Sequence, residues 1–310
     1  MKVLITRGYH FQEEQLKQIE ALGCEVAVWH TEAEPVPPEH RDAEVLINYQ
    51  MLKRMKLDDF PNLKLIQMTS SGLDHVPVDE IRRRGIHLCN ARGIYSIPMA
   101  EWVVLKVLEI YKKTREFEEN QRKEEWKQDK SIEELHGKTV GILGTGSIGT
   151  EVAKRMQAFG CWVVGLNTKG TEAPYFDQCY AVNQLEEMLP LCDVVVLTLP
   201  LTEQTRHLLD HDALSLMKDK AMLVNVARGP VVEEQALVAH LDRGHLLAAA
   251  LDVFHQEPLP KGHPLWQHPK ILATPHNSFF STSVKNRMFQ LAYDNIKAYL
   301  EKEPLTNLQP

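Results

Sequence analysis

The chain has 310 residues, 44% of them hydrophobic and 25% charged, which suits two medium-sized folded domains and argues against disorder. Its 35 basic and 42 acidic residues give a formal charge of −7, the wrong sign for a nucleic-acid partner. No stretch approaches the roughly 20 apolar residues of a membrane helix, and Arg7 and Gly8 cut short the first apolar run, which is too brief for a signal peptide. The five scattered cysteines, with no Cys-x-x-Cys pair, read as reduced, mostly buried thiols of a cytoplasmic protein.

Short apolar runs at residues 3–5, 25–29, 45–47, 63–68 and 86–88 read as strands, and residues 12–22 space Leu16, Ile19 and Leu22 as a helix does. This is the β-α-β rhythm of a parallel sheet. Residues 35–38, rich in proline, read as a surface loop. A second series of apolar runs follows at 139–143, 162–166, 193–199, 221–226, 247–253 and 271–274, as expected of strands covered on both faces. A long helical segment, about 98–135, joins the two series. Its first half is apolar and its second half, 112–130, is a solvated run of mixed charge; Trp126 within that run points to a subunit contact.

The most informative local motif is Gly144-x-Gly146-x-x-Gly149, set between the strand 139–143 and a helix at 147–159. Gly144 permits a tight turn, Gly146 lets a pyrophosphate approach the backbone, and Gly149 lets the helix pack on the strand. The helix N-terminus presents free N–H groups to the anion. Strand, turn, helix and next strand together make this a dinucleotide-binding turn rather than a structural glycine turn. After the next strand stand Asn167, Thr168 and Lys169, where an acidic residue would bind the ribose 2′-hydroxyl of NAD. Lys169 can attract a 2′-phosphate, which points towards NADP or dual use; alternatively Asn167 hydrogen-bonds the NAD ribose and Lys169 is solvated.

Three further segments put polar residues at the ends of apolar strands: Asn225 to Gly229 with Arg228, Asp252 to Pro258 with Glu257, and Thr274 to His276. With the glycine turn, Thr69 to Asp74, Met99 to Glu101 and Leu197 to Thr202, this ordered set resembles the D-isomer-specific 2-hydroxyacid dehydrogenase family over nearly the whole chain. Read singly, each segment is ordinary, a strand-end turn or a satisfied histidine; their order carries the resemblance.

The resemblance implies an α/β protein of two doubly wound parallel-sheet domains. A Rossmann cofactor domain spans 99–276, and a smaller flavodoxin-like substrate domain is built from 1–98 plus 277–310. It implies NAD or NADP bound by Gly144, Thr145, Gly146, Ser147, Ile148, Gly149, Asn167, Thr168, Lys169, Thr198, Leu199, Pro200, Thr205, Val226 and Ala227, with Asp252 and His276 near the nicotinamide. It further implies a homodimer paired through the cofactor domain, with the arm at 116–130 at the contact, and no metal. Closure of the two domains would exclude water from the reaction.

The chemistry of such a family requires these residue types. Reducing a 2-oxo acid makes an alkoxide that must take a proton, and a histidine, His276, can donate it and accept it back in reverse. Glu257 would orient the imidazole and favour its protonated form. Arg228 offers a planar fork of donors to the substrate carboxylate and carbonyl. The resemblance adds backbone amides of Ser71 and Gly72 to the carboxylate pocket, and Tyr95 either caps a small substrate side chain or packs the hinge. Substrate identity stays open. Arg7, Tyr9, His10, Asn48, Tyr49 and Gln50 either face the substrate or are ordinary loop residues. Asn48 to Gln50 offers no arginine for a phosphate, although Lys53 and Arg54 lie just beyond and Arg92 is another candidate anion contact. Glu257, where formate-oxidising relatives use glutamine, argues against formate. Asn277 to Phe280 departs from the family's glycine-rich run. A nucleotide-sensing, corepressor-like binding protein of the same fold is the alternative reading.

Overall fold

The computed structural model describes residues 1–6, 10–74 and 76–309. Arg7 and Tyr9, candidates above for contact with substrate, lie outside the described residues. The chain divides into two units, residues 1–95 with 281–310 and residues 96–280.

The first unit holds the strands β1 (Lys2–Thr6), β2 (Glu25–Trp29), β3 (Val45–Asn48), β4 (Leu65–Met68) and β5 (His87–Cys89), with helices α1 (Glu13–Glu20) and α2 (Val78–Arg83). The strands pair in parallel in the order β2-β1-β3-β4-β5. Strands β3 and β4 are buried at every residue, mostly aliphatic side chains with Asn48 and Gln67 among them, as expected of a sheet covered on both sides. The direction of chain progression reverses between β1 and β3, the flavodoxin-like order.

The second unit opens with α3 (Ser96–Tyr111) and α4 (Thr114–Arg122) and continues through β6 (Thr139–Leu143), α5 (Ser147–Ala158), β7 (Trp162–Asn167) and β8 (Gln178–Ala181). Then come the four-residue α6 (Leu185–Met188), β9 (Val194–Leu197), α7 (His211–Leu216), β10 (Met222–Asn225), α8 (Glu234–Asp242), β11 (Ala248–Leu251) and β12 (Ile271–Ala273). Its seven strands are parallel, in the order β12-β11-β10-β9-β6-β7-β8. The reversal falls between β6 and β9, so the ends of these two strands frame the crevice where ligands bind in such sheets. The chain then returns to the first unit with α9 (Val284–Glu301).

Two expectations need correction. The joining segment is not one helix: it breaks at Lys113, whose φ is +50°, and no helix spans 124–138. The charged stretch is almost wholly exposed and α4 itself buries no residue, so packing does not support a long helix there. Strand β8 was not expected, because Gln178, Cys179 and Ala181 give it no apolar run at the sheet edge.

Candidate active site

The glycine turn lies at the strand-order reversal. Gly144 leaves β6 with φ +108°, and its N–H donates to the Leu166 carbonyl at 2.9 Å. Thr198, just past β9, donates its N–H to Leu143 at 2.9 Å and its hydroxyl to the Gly144 carbonyl at 2.8 Å. A Cβ at Gly149 would lie 2.0 Å from the Gly144 oxygen, so α5 can start this close to the strand only with glycine there. At Gly146 a Cβ would meet nothing within 4 Å. The turn is thus closed on the protein side and open on the other, with the first amides of α5 beyond it. That arrangement fits a dinucleotide pyrophosphate. Leu199 and Pro200 continue the Thr198 loop, which the Thr205 hydroxyl closes by donating to the Pro200 carbonyl and accepting the Thr202 N–H, each at 2.7 Å.

At the end of β7 the Asn167 side chain is spent on its own loop. Its oxygen accepts from the Lys169 and Thr171 N–H groups at 3.2 and 3.1 Å, and its amide donates to the Thr171 carbonyl at 2.7 Å and the Thr145 hydroxyl at 3.3 Å. Thr168 and Lys169 are exposed.

Three segments after β10, β11 and β12 meet in the same unit. Buried Asn225 shapes the first, donating to the Arg228 carbonyl at 3.0 Å and accepting the Ala227 N–H at 2.9 Å. Val226 and Ala227 are buried beside it. The half-buried Arg228 donates to the Ala227 carbonyl at 2.8 Å. Glu257 accepts the Phe254 N–H at 3.0 Å and binds His276 Nδ1 through Oε2 at 2.7 Å. Burial pushes the Glu257 carboxyl up, but the hydrogen bonds from His276 and Phe254 and the charges of His276 and Arg228 outweigh it and hold it below the usual glutamate range. Because a carboxylate only accepts, it takes Nδ1–H and leaves Nε2 for a reacting oxygen. The Phe279 ring meets the imidazole edge-on at 5.7 Å. Asp252 is fully buried, and its oxygens bind Thr274, Asn277 and Ser278.

In the first unit, Ser71 follows β4 and donates its hydroxyl to the Ala91 carbonyl at 3.0 Å, while Ser70 does the same to Gly72 at 2.9 Å. The buried Tyr95 donates its hydroxyl to the Thr69 carbonyl, so this side chain packs under the loop that carries Ser71. Glu32 pins the loop after β3 by accepting the Tyr49 and Gln50 N–H groups at 2.9 and 2.6 Å. Arg54 donates to the Ala33 carbonyl at 3.1 Å. Glu32, which sequence reasoning missed, acts on partners 17 and 18 residues away in the chain and leaves no local motif.

A strand-end arginine, a paired His–Glu and a glycine turn that fits a dinucleotide thus share one seven-stranded sheet. Residues 104–278 match the family described as D-isomer specific 2-hydroxyacid dehydrogenase, NAD binding domain. The chain belongs to that family. The dehydrogenase is 33% identical over 299 residues to a glyoxylate reductase of Thermofilum pendens, covering 90% of this chain and 86% of that protein. It is similar, with a TM-score of 0.87 and 30% identity, to the crystal structure of a D-isomer specific 2-hydroxyacid dehydrogenase family protein from Aeromonas salmonicida, covering 100% of this chain and 98% of that one. A third likeness, TM-score 0.82 and 27% identity with coverage of 100% and 98%, is to a D-isomer specific 2-hydroxyacid dehydrogenase from Xanthobacter autotrophicus in complex with NADPH and MES. This dehydrogenase is therefore a nicotinamide-dependent oxidoreductase acting on the CH–OH group of 2-hydroxy acids, and the nucleotide-sensing alternative is not favoured. Among the described residues no helix is long and apolar enough to cross a membrane.

Proposed function

We propose that the dehydrogenase reduces a small 2-oxo acid, of the size of glyoxylate or hydroxypyruvate, with Arg228 holding the substrate and His276 and Glu257 as its acid–base pair. The 2.7 Å contact between His276 Nδ1 and Glu257 carries the reading. A bound nicotinamide supplies the hydride in reduction and takes it back in oxidation. Arg228 presents two parallel donors to the carboxylate and carbonyl oxygens, orienting the substrate and stabilising the charge that grows on the carbonyl oxygen. His276 gives its Nε2 proton to that oxygen, and Glu257 stabilises the imidazolium beforehand. In this reading Ser71 and Gly72 add backbone donors to the carboxylate. The small substrate is favoured by the glyoxylate reductase relative, and by Arg54, which is turned to a backbone carbonyl instead of serving a phosphate. Loss of 340 nm absorbance with NADH and NADPH against glyoxylate, hydroxypyruvate, pyruvate, larger 2-oxo acids and 3-phosphohydroxypyruvate tests it. Fastest turnover with the phosphorylated or the largest acids would sink the substrate assignment.

The reading prefers NADPH. Asn167 is committed to its own loop, no carboxylate stands at 167–171, and the exposed Lys169 is available to a 2′-phosphate. Lys169→Ala should lower the NADPH/NADH ratio of kcat/KM about fivefold, the worth of roughly 1 kcal/mol. Five free thiols, four of them buried, suit a reducing cytoplasm.

Phe117 of α4 and Trp126 and Ile132 of the arm after it line one groove, and Trp126 is 96% exposed. So large an apolar surface on a charged arm fits a second copy of the chain, giving a homodimer through residues 96–280. Light scattering on the wild type and on Trp126→Asp tests this: a monomeric wild type would overturn it.

A further inference from the structure

Asp252 follows β11 and has 0% exposure. Among the described residues, every donor to its carboxylate comes from the segment that carries His276. The Thr274 hydroxyl donates to Oδ1 at 2.5 Å, the Asn277 N–H to Oδ1 at 2.8 Å and the Ser278 N–H to Oδ2 at 2.9 Å. The main chain adds a fourth link, since the Asp252 carbonyl accepts the His276 N–H at 2.8 Å. His276 needs such a hold: its φ of +51° is left-handed, a conformation that a residue with a Cβ keeps only when its surroundings enforce it.

We propose that Asp252 is a positioning residue that sets the backbone of His276, so that the ring meets Glu257 through Nδ1 and offers Nε2 to the substrate. This rests on His276 being the acid–base group. The strand-end segment 252–257 then holds the histidine twice, by its main chain through Asp252 and by its ring through Glu257. A buried carboxylate suits the task because it accepts several N–H and O–H donors at once and its hydrogen bonds are strong away from water.

Asp252→Asn keeps the size and one acceptor, but turns an NH2 towards either the Ser278 N–H or the donors of Thr274 and Asn277. The expected result is a kcat for 2-oxo acid reduction about 10- to 100-fold lower, the scale of a misplaced catalytic group. NADPH affinity by fluorescence titration stays unchanged, and the pH profile of turnover is displaced. In a Glu257→Gln background the same change should cost little more, because both act through one ring. An unchanged kcat, an affinity lost in proportion to turnover, or losses that multiply independently would each overturn the proposal. If Asp252→Asn does not fold, Thr274→Val removes a single donor and should show the same pattern more weakly; wild-type kinetics in that variant would overturn the proposal equally. His276→Gln separates the two levels. Retained turnover there sinks the acid–base reading, whereas lost turnover there with an unimpaired Asp252→Asn sinks the positioning role alone.

Discussion

Gly229 rests directly on the peptide after Phe254: a Cβ at Gly229 would lie 2.0 Å from the Phe254 carbonyl carbon and 2.4 Å from the His255 nitrogen. Those atoms are backbone and cannot swing aside. The separation between the strand end that bears Arg228 and the segment that bears Glu257 is therefore set by main-chain contact.

Gly229→Ala should force that contact apart. The overpacking is expected to destabilise the protein by about 1–3 kcal/mol, and kcat/KM should fall about tenfold or more because Arg228 and Glu257 move out of register. Thermal melting and steady-state kinetics check both effects. A variant with native melting and turnover would mean that the two segments separate at little cost.

Arg228→Lys keeps the positive charge and loses the planar fork. If bidentate recognition is what matters, kcat/KM should drop about 10²–10³-fold, with dinucleotide affinity unchanged, since the glycine turn is untouched. Substrate titrations at saturating NADPH measure the first and fluorescence titration the second. A loss of only severalfold would reduce Arg228 to a point charge.

The parallel strands are legible in the sequence because burial on both faces demands unbroken apolar runs, and β3, β9 and β10 are such runs. The glycine turn is legible because each glycine answers a separate steric demand. Arg228, Glu257 and His276 are visible as polar residues at strand ends, though only their order through the chain lifts them above ordinary turns. What acts across distant segments leaves no local trace. The Asp252 carboxylate closes on donors 22 to 26 residues away, and Glu32 holds a loop 17 and 18 residues off. The arm after α4 misleads for a different reason: charged residues of good helix propensity read as helix, but α4 and the stretch after it are largely exposed, so packing does not extend the helix.

Glu257→Gln changes the pH dependence in a direction that the electrostatics determine. A carboxylate beside the ring favours its protonated form, and reduction needs that form. Without the charge the ring loses a charge-assisted partner, so kcat/KM should fall about tenfold or more in both directions. The Glu257 carboxyl is itself held below its usual range, so in the native protein its stabilising contribution is complete above the unfolded glutamate value and is lost as pH falls through the lowered folded value. In the variant that part of the acid sensitivity should vanish. Profiles of kcat/KM in both directions, and melting between pH 3 and 7, measure these; curves that superimpose on wild type would exclude a coupled pair.

Gly146 and Gly149 should separate ligand binding from folding. A side chain at Gly146 meets nothing in the protein, and its backbone, at φ −74° and ψ −168°, suits any residue. Gly146→Val should therefore melt within about 0.5 kcal/mol of wild type, as surface changes do, yet weaken NADPH binding about tenfold or more by filling the space where the pyrophosphate approaches. Gly149→Ala places its Cβ against the Gly144 carbonyl, so it should lower stability and binding together, because helix and turn must move apart. Melting curves and NADPH titrations on the two variants decide it. If Gly146→Val binds NADPH as tightly as wild type, the open side of the turn is not where the dinucleotide lies; if Gly149→Ala is as stable as wild type, the helix is free to shift and the turn is less rigid than the strand-order reversal implies.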